Sequence, residues 1–233
     1  MRSSNSFKVI LVCLSFSMAT AVFSKKPPRT ADQLLNAHPQ AWYAATNHPF
    51  LNQVKDGTLP MEAFSIWLAQ DYYFAGTLLK SQSLMMLYAP RADHNLLIGG
   101  LFALDSELSW FEANATIYNI DLTRPVLPTC QAYNDFMLAL QYKPYVVQLT
   151  CMWALNRAYY DGWSTALPGT PKYKEFIDRF TSQEYKDYID ALEVSVDAAL
   201  AAASRKERKQ AELYFLWIAR YEKDFWDMAL SGQ

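Results

Sequence analysis

The chain has 233 residues, 52% of them hydrophobic and 15% aromatic, with 7 Gly and a formal net charge of −2. That length and apolar content suit one sizeable domain rather than several small ones. The near-neutral charge, with no basic cluster interleaved with aromatics, excludes nucleic acid as an expected partner. Three cysteines (Cys13, Cys130 and Cys151) are too few for a disulfide framework, and His38, His48 and His94 lack metal-ligand spacing, so neither a metal nor a cofactor is expected.

Residues 1–24 combine Arg2 and Lys8 with an apolar stretch through Phe23 and then small residues. This is the outline of a secretory signal peptide, with cleavage near Ala21 or Ser24; the alternative is a leader preceding an internal start at Met18. In the first case Asn114-Ala115-Thr116 becomes a glycosylation acceptor. Residues 25–30, KKPPRT, read as a linker stiffened by Pro27 and Pro28, and 31–233 as a single domain.

Helical patterns follow one another with short connections. Ala31 to Asn47 is expected as a first amphipathic helix ending at His48-Pro49. After a turn at Asp56-Gly57, Thr58 reads as a cap and Pro60 as an early-turn proline of a helix reaching about Tyr88. Asp93–Tyr118, Thr129–Gln141, Tyr145–Leu167, Pro171–Phe180 and Ser182–Ala203 follow, and Ser204-x-x-Glu207 is a capping box opening a last helix that reaches Leu230. No strand pattern competes. The expectation is an all-α bundle of about seven to eight helices. Its apolar surface suggests a homo-oligomer, and no membrane partner is expected for the mature domain.

Three acids stand where these helices should be dry. Asp71 shares a face with Trp67, Leu68, Phe74 and Ala75; Glu222 with Ile218, Ala219, Phe225 and Trp226; Glu107 with Ala103, Leu104, Trp110 and Phe111. A lone buried carboxylate is costly unless a hydrogen-bond network or a ligand answers it. A di-metal site would want Glu-x-x-His pairs, which are absent. The pattern instead suits an organic ligand with ring nitrogens and amino groups, held by acids between aromatic walls to which Phe74 and Phe225 are the candidates. Cys151, on an apolar helix, reads first as a buried core residue, the commoner fate of such cysteines, and otherwise as a thiol needing an activating environment. Tyr133 could donate a hydrogen bond into the same interior.

Four pieces in order, HPF at His48–Phe50, DGTLP at Asp56–Pro60, LAQDYYF at Leu68–Phe74 and YEKDFWDMA at Tyr221–Ala229, carry a resemblance to the TenA/thiaminase II family over about Leu34 to Met228. The resemblance implies a haem oxygenase-like all-α fold without haem. It also implies hydrolysis at the methylene carbon of a 4-amino-2-methylpyrimidine, freeing hydroxymethylpyrimidine for thiamin salvage. On it, Asp71 matches the acid that holds the aminopyrimidine, Glu222 the acid that shuttles protons, Tyr133 a pocket tyrosine, and Cys151 the thiolate nucleophile of one branch. Two positions depart. The surroundings LFALDSELSWFE and LTCMWALNRAYY resemble the branch that uses Glu instead of Cys, yet that acid position reads Asn156. Phe180 stands where the thiolate branch has Tyr, removing a hydroxyl from the substrate pocket. Cys151 and Asn156 lie about 140° apart around a helix of 3.6 residues per turn, so they do not share one role.

The small-molecule pyrimidine reading therefore has two rivals: hydrolysis of a formylated or damaged aminopyrimidine by acids, and pyrimidine binding without turnover. An oxygenase on fold analogy is set aside because the His ligands are missing. The family resemblance points to cytoplasm and the leader to secretion.

Overall fold

Residues 30–233 are described in the computed structural model; the leader, and all of the linker except Thr30, lie outside them. Among the described residues there are ten α-helices and no strand: α1 Ala31–Ala37, α2 Pro39–Thr46, α3 Pro49–Asp56, α4 Met61–Met85, α5 His94–Tyr118, α6 Pro128–Ala139, α7 Tyr145–Thr165, α8 Lys174–Phe180, α9 Gln183–Ala202 and α10 Arg205–Ser231. The all-α expectation holds, with more helices than the seven to eight read from sequence.

Two of the extra helices arise at prolines. The expected Ala31–Asn47 helix breaks at His38, because the ring of Pro39 denies the preceding residue helical geometry, and His38 takes φ −131° and ψ 50°. Pro49 likewise does not simply end a helix. It occupies the first position of α3, where its missing N–H costs nothing, and His48 caps that helix by accepting from the Phe50 N–H through Nδ1. The C-terminus of α3 needs a left-handed residue, and Gly57 at φ 72° supplies it while lying against Thr170, so a Cβ there would meet Oγ1 at 2.8 Å. The Ser204–Glu207 capping box forms in both directions, and α10 runs from it to Ser231.

The centre of the bundle is α7, buried on nearly all sides from Val146 to Asn156. α10, α9 and α2 pack around it, while α4 packs on α5, α6 and α10. One continuous apolar core results, and Phe64, Trp67, Trp163 and Phe176 form an aromatic cluster within it. Phe64 meets Phe176 edge-on at 4.9 Å and Trp67 meets Trp163 at 5.2 Å, the geometry that aromatic quadrupoles favour. No helix among the described residues is long and apolar enough to cross a membrane.

The Asn114 sequon lies inside α5. Asn114 is 1% exposed, and its Nδ2 donates to the Trp110 carbonyl at 3.0 Å and to Glu175 Oε1 at 3.4 Å. The folded domain offers no acceptor there, which corrects the glycosylation expectation.

Candidate active site

Above the aromatic core the three acids converge. Asp71 comes from the middle of α4, Glu107 from α5 and Glu222 from α10, and all three line a cavity of about 50 Å³ together with Phe74, Tyr133 and Phe225. α7 contributes Leu155, Asn156 and Tyr159 to the same wall, and α9 contributes Tyr185. The acids face inward because helical periodicity places each on its helix's apolar stripe, and the bundle directs those stripes to one point.

Each of the two most buried acids is held by one tyrosine. Tyr133 donates to Glu222 Oε1 at 2.7 Å, and Tyr159 donates to Asp71 Oδ2. Both tyrosines are themselves fixed. Tyr133 stacks on Tyr221 with centroids 4.8 Å apart and an interplanar angle of 7°, and contacts Phe74 at 4.4 Å. Tyr159 stacks on Trp226 and receives a hydrogen bond from Trp67 Nε1 at 3.0 Å. The second oxygen of each acid has no hydrogen-bond partner among the described residues, and neither does either oxygen of Glu107.

That half-satisfied state sets their protonation. Burial pushes Glu222 up to about 8 against the opposing Tyr133 hydrogen bond. Burial raises Asp71 well above the carboxylate range; Tyr159 opposes this, and the nearby charges of Glu107 and Glu222 add to it. Glu107 keeps an opening to the cavity, yet enough protein surrounds it that burial lifts it to about 7, with the positive charge of Arg179 pulling the other way. The site thus holds carboxyl groups able to give up or take a proton near neutral pH.

The structure brings together Asp71, Glu222, Tyr133, Phe74, Phe225 and Asn156 of the residues read from sequence. Asn156 has a supporting position: its Nδ2 donates to the Met152 carbonyl at 2.7 Å, and its Oδ1 accepts from the Tyr185 hydroxyl at 3.0 Å. Phe180 lines an adjoining cleft of about 420 Å³ and meets Tyr159 edge-on at 4.8 Å. Cys151 is absent from the cavity wall. It lies on the stripe of Leu155 and Tyr159, one turn below Leu155, is 0% exposed, and has its thiol driven up by burial with no charged neighbour to lower it. Tyr159 and Tyr185 were not singled out from sequence. The one available signal was the four-residue spacing of Cys151, Leu155 and Tyr159 along α7.

An all-helical bundle with carboxylic acids converging on an aromatic-walled cavity defines a small-molecule site suited to a nitrogen heterocycle. The sequence profile of the TENA/THI-4/PQQC family matches residues 35–232, and the chain belongs to that family. A Glycine max relative named probable bifunctional TENA-E protein is 28% identical over 209 residues, covering 84% of this chain and 90% of that one. The aminopyrimidine aminohydrolase of Halalkalibacterium halodurans is 28% identical over 210 residues, covering 82% and 90%. A crystal structure of a TenA homologue from Pyrococcus furiosus superposes with a TM-score of 0.82 at 25% identity, covering 85% of this chain and 98% of that one.

Proposed function

We propose that this protein hydrolyses aminopyrimidines of the thiamin-salvage type, replacing the amine on the ring's methylene carbon by water to give hydroxymethylpyrimidine. The observation that carries the reading is the set of half-satisfied carboxyl groups around one aromatic-walled cavity. The names of the bacterial relatives support the same reaction. The open oxygen of Asp71 accepts from the ring's amino group, while Phe74, Tyr133 and Phe225 supply apolar walls. Glu222, largely protonated at neutral pH, gives its proton to the leaving nitrogen as the carbon–nitrogen bond breaks. Its carboxylate then takes a proton from the water whose hydroxyl joins the methylene carbon, and the acid is regenerated.

Two routes divide the finer reading. In the first, Cys151 adds to the ring as a thiolate; in the second, the acids suffice, as the TENA-E name of the soybean relative suggests, and Cys151 packs beneath the floor. The second is favoured by the position of Cys151 off the wall, with no base or cation beside it. Oligomerisation belongs to the proposal as well, because Phe102 and Tyr142 leave large aromatic surfaces in solvent.

The deciding experiment is turnover of residues 25–233 with aminomethyl-methylpyrimidine, its formyl derivative and thiamin, with Cys151→Ser alongside. Release of hydroxymethylpyrimidine by both proteins supports the acid route. Loss in the variant alone establishes the thiolate, and tight pyrimidine binding with no product from either would make this a binding protein.

A further inference from the structure

The cavity holding the acids does not end at Glu107. Leu78, Leu104, Glu107, Asn156 and Tyr185 belong both to its wall and to that of the cleft of about 420 Å³. Those side chains are shared by the two walls, so the two spaces adjoin. The cleft is hollow because α5 presents Gly99, Gly100 and Ala103 to it, opposite Gln82 of α4 and Tyr188 of α9. The two glycines differ. A Cβ on Gly100 would stand 2.3 Å from Gln82 Nε2 and 2.4 Å from the Tyr188 hydroxyl, so Gly100 serves packing; a Cβ on Gly99 would meet nothing within 4 Å and would project into open space.

Most polar groups around this cleft are already used. Gln82 donates to the Leu97 carbonyl at 2.7 Å, and Ser182 accepts from the Tyr185 backbone as the cap of α9. Glu107, Glu184 and Ser106 also line the cleft without a side-chain hydrogen bond among the described residues, and Arg179 is the one cation among its lining residues. Its guanidinium lies over the Trp110 ring with 4.4 Å to the centroid, an attraction that consumes no N–H, and among the described residues it makes no hydrogen bond or ion pair. A half-buried cation, fixed in place with its donor fork uncommitted, is a recognition group for an oxygen acceptor.

Resting on the aminopyrimidine reading above, we propose that this cleft is the subsite for the group borne by the substrate's methylene nitrogen. We propose further that Arg179 selects acyl substituents that extend beyond one carbon and end in an oxygen acceptor. The ring sits among the acids, the nitrogen at the Glu107 junction, and the acyl chain runs between α5 and α9 toward Arg179. A formyl group leaves most of this space empty.

The test uses N-formyl, N-acetyl and N-succinyl aminomethyl-methylpyrimidine as competitors of turnover of the parent amine, or reads their Michaelis constants where they are themselves turned over. Apparent affinity is expected to rise about tenfold from formyl to succinyl, the lower range for one charge-assisted hydrogen bond. The step is expected to vanish in Arg179→Met, to persist in part in Arg179→Lys, and to be lost in Gly99→Leu, which puts a side chain into the open space of the cleft. A flat series in the wild type, or a step that survives both Arg179→Met and Gly99→Leu, overturns the inference while turnover of the parent amine leaves the function standing. Failure of the parent amine to turn over removes both.

Discussion

The polar groups at two helix joints and those in the cavity are treated differently. At the two joints, those of Asp93 and His48, the polar groups are saturated. Asp93 accepts from Tyr145 at 2.8 Å through one oxygen and from Ser195 at 2.8 Å through the other, tying the start of α5 to α7 and α9. His48 uses one ring nitrogen to cap α3 and the other to meet Asp227 of α10 at 3.0 Å. In the cavity, each of Asp71 and Glu222 receives a single tyrosine hydroxyl and keeps an oxygen free. A joint gains stability by completing its hydrogen bonds, whereas the cavity leaves the last partner to be supplied by a ligand.

Substitutions should separate the two kinds cleanly. Glu222→Gln keeps the shape and removes the proton carrier, so kcat is expected to fall about 10³-fold, within the range for a general acid/base, with folding intact; steady-state release of hydroxymethylpyrimidine reads it. Asp71→Asn leaves one oxygen to serve both Tyr159 and the ring's amino group, so one of these hydrogen bonds is lost and KM should rise about 10-fold. At a joint the outcome reverses. Tyr145→Phe leaves Asp93 with one partner and should cost about 1 kcal/mol in urea unfolding without changing turnover.

The smallest effect is one of slope. Glu222 is raised from 4.5 to about 8 in the folded state, so the unfolded chain releases that proton first. Its contribution to stability is whole below pH 4.5 and is lost as pH rises through 8. Glu222→Gln should therefore flatten the decline of Tm across that window. An identical decline in wild type and variant would mean that Glu222 titrates normally.

The same division explains what the sequence could disclose. The acids were legible because a charge on an apolar stripe contradicts its own helix, as with Asp71 between Trp67 and Phe74. Their convergence was not, since periodicity fixes which face a residue takes and says nothing about which helix comes to meet it. Tyr159 and Tyr185 escaped for a related reason: a tyrosine contradicts nothing on such a face, and its hydroxyl acquires a role only beside Asp71 or Asn156. The HPF and DGTLP pieces are joints, His48 capping and Gly57 turning, so a family resemblance built on them speaks for the fold as much as for the chemistry. Helix α3 was missed because Pro49 ends one helix and begins the next with the same ring.

The Asp71–Tyr159 contact couples the cavity to tryptophan. The hydroxyl that holds Asp71 belongs to Tyr159, whose ring lies against the Trp226 indole with 5.5 Å between centroids and whose oxygen receives the Trp67 indole N–H. Two of the protein's seven indoles are thus wired to the group that meets the ligand. Occupation of the cavity is therefore expected to change the protein's tryptophan emission, which a fluorescence titration with the pyrimidine reads.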